Sequence, residues 1–490
     1  MNWLLIVILA LPLAAALLSL AGRPRLAEAA TCVSGVAVLG LAFVIAMQVR
    51  SGKELAIAHS WLRFDSLGGV FLLATGLLYA TGAIFSIGYL RADARRRDFV
   101  PFARRYFTYF NLFAWSMLLV PEASDFGTLW IAIELTTIVS ALLVAVDRTD
   151  AALEAAWKYV LIASAGLGIA LIGVILLYAA GSDALGAAYL PRYDSYLGVA
   201  GHLASAPVKL AFLLAAVGFG TKVGFFPMHT WLPDAHSEAP SPVSALLSGA
   251  LLANAFYAIL RFYQVTALNG GSTFPRRVLL VLGVTSLLLA ALSVLSQRNY
   301  KRLLAYSSIE HMSVIALGVG FGAPIAVAGA LLHVVNHAAA KGLAFFGAGS
   351  ILRRFDSKEI DAVSAAGVRL PWSGPLFFAA VLALSGLPLS GIFRSEFQIV
   401  AGGLASSAYV SAAFLIVLVN LAFFGVVWYL GRMVLSRPTE ERTASGETSY
   451  WMVAAMLVCF AVVIGLGLHV PGDFAQLLHN AASRLTSPGR

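Results

Sequence analysis

Long apolar runs of about 20 residues recur along the whole chain, and short polar segments separate them. Such a run has the length that a helix needs to cross the hydrocarbon core of a bilayer. The pattern predicts about fourteen spanning helices, with approximate cores at 2–21, 29–49, 66–90, 105–122, 124–146, 153–180, 207–230, 240–265, 276–296, 300–320, 323–350, 373–400, 406–434 and 449–470. The connections are too short for a soluble domain, so the expected fold class is an all-α polytopic membrane protein.

Glycine and proline interrupt two of the predicted spans, the seventh and the twelfth. The residues concerned are Gly218, Gly220, Gly224 and Pro227 in span seven, and Gly386, Pro388 and Gly391 in span twelve. Broken helices at corresponding places in two halves of a chain indicate inverted repeats with an ion site near the bilayer midplane. The predicted organisation, with two inverted five-helix repeats, is helices 1–3 in 1–104, helices 4–8 in 105–268, helices 9–13 in 275–435, and the last helix with a short tail in 436–490.

Composition supports the membrane interpretation and removes several other classes. The 490 residues are 60% hydrophobic and only 12% charged, whereas soluble domains have about 45–50% and about 25%. Lys and Arg are twice as frequent in loops that follow odd-numbered spans. Because cytoplasmic loops collect these residues, the formal charge of +9 reflects topology rather than nucleic-acid binding. We expect a bacterial cytoplasmic (inner) membrane protein with both termini outside.

The chain offers few residues for targeting or for cofactor attachment. The first apolar run, Asn2 to Ala21, lacks a positive leading segment, so it is expected to be an uncleaved span. The two cysteines, Cys32 and Cys459, lie far apart and form no C-x-x-C pair. This chain alone is therefore not expected to hold an iron–sulfur cluster or covalently attached haem. We expect no cofactor in it.

Ionisable residues inside the predicted spans are the strongest functional signal. Each costs roughly 2.5–3.5 kcal/mol at the centre of a spanning helix, so each needs a reason to be there. The candidates are Glu134, Lys158, Lys222, Glu310, His311, His333, His337, Lys341, Arg394 and Glu396. Glu134 and Lys222 have no opposite charge within helical reach on their own spans, which predicts that each pairs with another helix. Such a couple is either a proton-exchanging pair or a static ion pair that fixes helix register. The number of charges on successive helices favours the relay.

His333, His337 and Lys341 follow a spacing of i, i+4 and i+8, so they form one polar stripe on a helix. Imidazoles can pass protons in both directions. H-x-x-x-H is also half of a zinc site, and His311, His333 and His337 could supply axial haem ligands. The cationic Lys341 on the same stripe disfavours both, so we expect no metal. Three tryptophans near the predicted interfaces are expected to be belt residues, namely Trp130, Trp157 and Trp231.

Several long motifs resemble a known family. The stretch GTKVGFFPMHTWLPDAHSEAPSPVSALLSG (220–249), together with KRLLAYSSIEHMSVIALG and HVVNHAAAK, resembles the antiporter-like proton-pumping subunits of respiratory complex I and the Mrp cation/proton antiporters. WIAIELTT, EAAWKYVLIAS, GTKVGFFP and YSSIEHM are more similar still to the membrane component F of hydrogenase 4 and its relatives in group 4 hydrogenases and formate hydrogenlyases. The resemblance covers roughly residues 105–430.

The resemblance implies a fourteen-helix fold with inverted five-helix repeats and broken helices seven and twelve. It also implies residue roles: Glu134 as the span-five glutamate, Lys158 as the span-six cation that tunes it, and Lys222 as the span-seven lysine. By the same resemblance His333, His337 and Lys341 form the span-eleven relay and Glu396 is the terminal span-twelve acid, with Arg394 where some members carry lysine. One departure is clear. Where complex I relatives carry a central lysine or histidine in span eight, this chain has Ser248 and Ala253, with only Asn254 and Tyr257 nearby. Water would have to bridge the middle of the relay.

The expected function is proton translocation by a membrane subunit of a complex I-like or group 4 hydrogenase-type oxidoreductase. The expected partners are other membrane and peripheral subunits, which would carry the redox groups, and the lipid bilayer. Three alternatives remain open at this point: a stand-alone or Mrp-type cation/proton antiporter, a haem-binding membrane cytochrome, and the membrane subunit of an inorganic-carbon uptake complex.

Overall fold

The computed structural model of the protein describes residues 3–57, 61–94, 97–186, 189–437 and 446–486. Asn2 of the first predicted span, and parts of the predicted 436–490 segment, lie outside these ranges. The helices are α1 Leu4–Ser19, α2 Pro24–Val49, α3 Ser66–Arg91, α4 Phe99–Glu122, α5 Phe126–Val144, α6 Asp150–Leu185, α7 Tyr193–Val199, α8 Ser205–Val223, α9 Trp231–Glu238, α10 Ser241–Leu246, α11 Leu252–Gly270, α12 Thr273–Val294, α13 Tyr300–Phe321, α14 Pro324–Phe355, α15 Ala366–Arg369, α16 Ser373–Leu384, α17 Gly391–Ala405, α18 Tyr409–Leu435, α19 Tyr450–Leu468 and α20 Gly472–Thr486.

Short irregular elements connect some of these helices. A π-helical turn at Leu247–Leu251 joins α10 to α11, and 3₁₀ turns lie at Ala200–His202 and Ile360–Ala362. Strands β1 (Leu55–Ile57) and β2 (Leu62–Phe64) form an antiparallel hairpin before α3.

Ten helical segments among the described residues are long and apolar enough to cross a membrane. They agree with the predicted all-α polytopic architecture. The other predicted spans correspond to helices that are shorter, more polar or broken, such as α1, α14 and α16. The number fourteen and the inverted repeats therefore stay predictions.

Both predicted helix breaks are present. Helix α8 ends at Val223 because Gly224 adopts a left-handed φ of +89°, which favours glycine, and α9 begins only at Trp231. In the second half α16 ends at Leu384, and α17 begins at Gly391 after a break that contains Gly386 at φ +69°. The backbone therefore leaves helical geometry beside the candidate residues of spans seven and twelve, as Gly and Pro predict.

Burial separates the helices into an inner and an outer group. The inner helices α3, α11 and α13 are buried along nearly their whole length. The outer helices α6, α12 and α18 expose large apolar side chains such as Ile172, Leu292 and Phe424. Exposed apolar faces suit contact with lipid or with other spanning helices, whereas polar groups are retained in the interior. The candidate residues of α13 and α14 therefore lie at the centre of the bundle.

A buried ion cluster fixes one end of the bundle. Asp65 caps α3, is fully buried, and accepts two hydrogen bonds from Arg261 of α11 at 2.8 and 2.9 Å. Burial alone would raise the pKa of Asp65, but Arg261 and Arg484 of α20 hold this pKa well below its usual range. Burial also opposes ionisation of Glu54, yet ion pairs with Arg63 and Arg484, at 2.6 and 2.8 Å, lower the pKa of Glu54. The cluster therefore ties the hairpin, α3, α11 and α20 together.

Candidate functional site

Lys222, the penultimate residue of α8, is fully buried beside the first break. Its ammonium donates a hydrogen bond to Thr137 Oγ1 of α5 at 2.7 Å and another to the hydroxyl of Tyr159 of α6. The same ammonium lies 4.5 Å from the centre of the Tyr159 ring, a distance that allows a cation–π contact. Neutral oxygens and an aromatic face therefore hold Lys222, and within the described ranges no carboxylate pairs with it.

Glu134 is half-buried on α5 and does not form the expected direct pair. Among the ion pairs of the described residues, none joins Glu134 to Lys222. Ser164 donates to Glu134 Oε1 at 2.9 Å, while Oε2 has no hydrogen-bond partner among the described residues. Thr137 follows Glu134 by three residues, so both lie on one face of α5 about one turn apart. The expectation of a contacting pair is corrected: Lys222 donates to Thr137, which lies one turn from Glu134 on α5.

Lys158 and Arg394 have other partners than those expected. The Lys158 ammonium pairs with Glu154 Oε1 at 2.5 Å and lies 3.8 Å from an oxygen of Asp234 in α9. Arg302 of α13 pairs with the same Asp234. No ion pair in the described part of the chain joins Lys158 to Glu134. Arg394 is half-buried and donates a 3.5 Å hydrogen bond to the carbonyl oxygen of Gly467. Both cations therefore interact with groups outside the predicted relay.

Trp231 is not an interfacial belt residue, so that expectation is wrong. It is fully buried, its Nε1 donates to the Thr221 carbonyl oxygen at 2.9 Å, and its ring stacks on Tyr159 at 4.4 Å between centroids. Trp157 is 55% exposed, as a belt residue would be. The break after α8 turns the chain inward, which places Trp231 under Lys222 instead of at the surface.

Lys341 of α14 repeats the arrangement of Lys222 in the second half of the chain. It is fully buried and donates to Ser307 Oγ at 2.8 Å and to the Leu304 carbonyl oxygen at 3.0 Å, both on α13. Glu310 is buried on α13, three residues after Ser307. In both halves a lysine therefore reaches across to a hydroxyl that lies one turn from a carboxylate on the neighbouring helix.

Histidines extend this polar line toward α17. His311 Nδ1 lies 3.1 Å from His333 Nε2, and His333 Nδ1 lies 2.9 Å from Ser395 Oγ. Glu396 Oε1 lies 3.8 Å from His311 Nδ1. His337 is fully buried, its ring centre is 5.4 Å from that of His311, and neither of its nitrogens has a partner among the described residues. The structure therefore brings together the three predicted histidines and Glu396.

The two halves approach each other around a histidine that the sequence analysis does not single out. His236 of α9 is fully buried, and its ring centre lies 6.1 Å from that of Trp231 and 6.0 Å from that of Phe345 on α14. Both of its ring nitrogens lack partners among the described residues. At the span-eight departure, Ser248 forms a 2.7 Å hydrogen bond with Ser308, next to Ser307 on α13. Polar groups therefore do occupy the middle, and water molecules could link them.

The site also limits cofactor chemistry. The nitrogen atoms of His311 and His333 face each other at 3.1 Å, so these two rings leave no space for a porphyrin between them as axial ligands. The ligand atoms of His311, His333 and Glu396 lie within 4.8 Å of one another. Among the described residues, these three form the group that could hold a metal ion.

Fold and site together define a polytopic membrane protein whose interior carries ionisable and hydroxyl groups on several helices beside two broken helices. The sequence profile described as NADH:quinone oxidoreductase/Mrp antiporter matches residues 123–424. The chain belongs to this family, and it is an antiporter-like, multi-pass integral membrane subunit of it.

Individual relatives agree with this assignment. The hydrogenase-4 component F homolog of Methylacidiphilum infernorum (isolate V4) is 33% identical over 414 residues, which cover 84% of this chain and 86% of that protein. A chain of the archaeal membrane-bound sulfane sulfur reductase has a TM-score of 0.87 at 22% identity, covering 98% of this chain and 97% of that one. A chain of the Mrp complex from Dietzia sp. DQ12-45-1b has a TM-score of 0.85 at 20% identity, covering 100% and 98%. The two structural likenesses confirm the fold alone, and these structures are of multi-subunit membrane complexes.

Proposed function

We propose that this chain translocates protons across the bacterial cytoplasmic membrane as a subunit of a complex I-like or group 4 hydrogenase-type oxidoreductase. The hydrogenase-4 relative supports this choice because it matches over most of both chains. Redox groups would lie in partner subunits, other membrane and peripheral proteins, and the termini of this chain would both lie outside. The proton relay would use Glu134, Lys222, Glu310, His311, His333, His337, Lys341 and Glu396.

The arrangement of Lys222 is the observation that carries the proposal. The fully buried ammonium of Lys222 donates to Thr137 and Tyr159, so it can pass a proton to a hydroxyl that at the same moment releases its own proton onward, and no salt bridge has to break first. Thr137 in turn lies one turn from Glu134, whose Oε2 has no partner among the described residues and can accept a proton or a water molecule. We propose that protons can move in either direction along Lys222, Thr137 and Glu134, and that these three residues form the entry part of the relay.

The electrostatic energy of a pair between Glu134 and Lys222 is of the same order as the energy that moving one proton requires. Moving one elementary charge against 100 mV requires about 2.3 kcal/mol. Bringing a carboxylate and an ammonium to 4 Å is worth about 4 kcal/mol at an effective dielectric constant of 20. Because Glu134 and Lys222 already lie close to each other, converting their present arrangement into a direct pair would gain only part of this energy, which is of the same order as the requirement for one proton. Coupling to redox chemistry would consist of forming and breaking this pair.

The test is proton pumping by the intact complex in proteoliposomes, measured together with electron transfer. Lys222→Ala should abolish pumping and leave most electron transfer, since the redox groups would lie in partner subunits. Glu134→Gln should act similarly, whereas Glu134→Asp should retain part of the activity because it keeps an ionisable group. Full pumping by the Lys222→Ala complex would remove Lys222 from the scheme.

An Mrp-type cation/proton antiporter is the second candidate, because the matching family includes these antiporters. Reconstitution separates the two functions. A stand-alone antiporter would exchange protons for sodium when the purified chain is the only protein in the vesicle. A subunit of a redox complex would show transport only with its partners and with an electron donor.

A further inference from the structure

Three potential metal ligands from three helices converge near the second break. They are His311 of α13, His333 of α14 and Glu396 of α17, and their ligand atoms lie within 4.8 Å of one another. The individual separations are 3.1 Å from His311 Nδ1 to His333 Nε2 and 3.8 Å from His311 Nδ1 to Glu396 Oε1. A zinc ion with bonds of about 2.0 Å separates two tetrahedral ligand atoms by about 3.3 Å. The two measured separations are thus within about 0.5 Å of this value, and the third, between His333 and Glu396, is at most 4.8 Å.

We propose that His311, His333 and Glu396, named here the His–His–Glu site, bind one divalent transition-metal ion of the zinc type. Two imidazoles, one carboxylate and one water molecule would complete a tetrahedral site. On binding, the proton that His311 Nδ1 donates to His333 Nε2 moves to the unpartnered Nε2 of His311, so His311 stays neutral and the lone pairs of both facing nitrogens bind the metal. No redox change is involved.

The hydrogen bonds around His333 prepare it as a ligand. Ser395 Oγ donates to the carbonyl oxygen of Gly391 or Ile392, each at 2.9 Å, so it accepts a hydrogen bond from His333 Nδ1. This tautomer leaves a lone pair on His333 Nε2, directed at His311. Metal-binding histidines use their second nitrogen in the same way, because it fixes the tautomer and the ring orientation.

Glu396 provides both a free ligand atom and access. Its Oε1 has no hydrogen-bond partner among the described residues, and its side chain is 13% exposed. It lines a cavity of about 410 Å³ that also contains Ser385 and Gly386 of the α16–α17 break. Lys341, which argued against a metal on the histidine stripe, is directed to Ser307 and Leu304 instead of to this site.

A metal ion bound at the His–His–Glu site would interrupt proton transfer along α13, α14 and α17. This consequence rests on the proposed function, whereas the binding itself does not. We therefore expect micromolar or tighter Zn²⁺ to inhibit proton pumping more strongly than electron transfer.

The binding test uses the purified full chain in detergent with Co²⁺, whose visible absorption reports tetrahedral nitrogen and oxygen ligands. One Co²⁺ per chain should give this absorption, and added Zn²⁺ should remove it. Glu396→Gln and His311→Asn should abolish the absorption, and Ser395→Ala should weaken affinity about 10- to 100-fold. His337→Asn is the matched control: it removes an equally buried histidine of the same stripe and should leave Co²⁺ binding intact. Gel filtration and a melting curve establish that each variant is folded.

The outcomes separate the two proposals. Absence of the Co²⁺ absorption in the folded wild type, its persistence in both ligand variants, or its loss in His337→Asn would overturn the site. Metal binding without any effect on pumping would overturn the predicted inhibition. Failure of the Lys222 and Glu134 variants to affect pumping bears on the proposed function and leaves Co²⁺ binding unaffected.

Discussion

The Thr137 hydroxyl offers the sharpest test of how Lys222 and Glu134 communicate. Thr137→Val keeps the size and branching of the side chain and removes the oxygen that accepts the Lys222 hydrogen bond at 2.7 Å. Lys222 then retains one side-chain acceptor, Tyr159, and the proposed step through the Thr137 hydroxyl toward Glu134 is lost. A hydrogen bond to a charged group contributes about 1.5–3 kcal/mol. Because each 1.36 kcal/mol is tenfold in rate, pumping should slow by about 10- to 150-fold.

The neighbouring Thr136 supplies a matched control. It is equally buried, but its hydroxyl donates to the Ile133 carbonyl oxygen at 2.6 Å on its own helix instead of contacting Lys222. Proton uptake per electron by vesicles that contain the complex is the measurement. Thr137→Val should lower it, while Thr136→Val should leave it near the wild-type value and Thr137→Ser should restore most of it. An unchanged proton-to-electron ratio in Thr137→Val would refute a hydroxyl-mediated route.

Three further predictions concern the Lys341 contact and the buried ion cluster around Asp65. Ser307→Ala should slow pumping by a similar factor because it removes the acceptor of Lys341, whereas Ser313→Ala, which loses only a bond to its own helix, should not. Arg261→Ala should destabilise the folded chain by about 3–5 kcal/mol, seen as a lower melting temperature in detergent, because it leaves Asp65 buried with its main partner removed. The pKa of Asp65 and of Glu54 is lowered in the fold. Their stabilisation is thus present above the unfolded pKa of about 4 and is lost as the pH falls below it, so melting at pH 3 should occur at lower temperature than at pH 6.

The sequence alone identifies the groups that are costly to bury but not the groups that hold them. Lys222 and Glu134 are recognisable in the sequence because a charge inside a long apolar run is costly and therefore indicates a functional or structural role. Gly224 and Gly386 indicate the helix breaks, because glycine adopts a positive φ at little energetic cost and few other residues do. Thr137 gives no such signal, since hydroxyl residues are common in spanning helices and usually bond to their own backbone.

Contacts between distant helices account for the expectations that required correction. Lys158 follows Glu154 by one turn, which the sequence shows, but its second partner Asp234 comes from α9 and is visible only in three dimensions. Trp231 has the same amphipathic side chain at an interface and in a buried stack, so hydropathy cannot separate the two. His236 cannot be singled out from the sequence for a related reason: its buried position between the two halves depends on the break that turns α9 inward.

The molecule contains both a static buried ion pair and the proposed mobile groups, and they differ in chemistry. Asp65 is held by Arg261, whose planar guanidinium remains protonated at all physiological pH values and forms two parallel hydrogen bonds to the carboxylate. Lys222 and Lys341 are instead held by neutral oxygens. These include Thr137 and Ser307, each of which lies one turn from a carboxylate on its own helix. An ammonium on neutral acceptors can lose its proton without leaving a carboxylate buried and unpaired, which is the cost that locks a static pair. The placement of arginine at the end of the bundle and lysine at its centre therefore favours a relay over a register-fixing pair for Glu134 and Lys222.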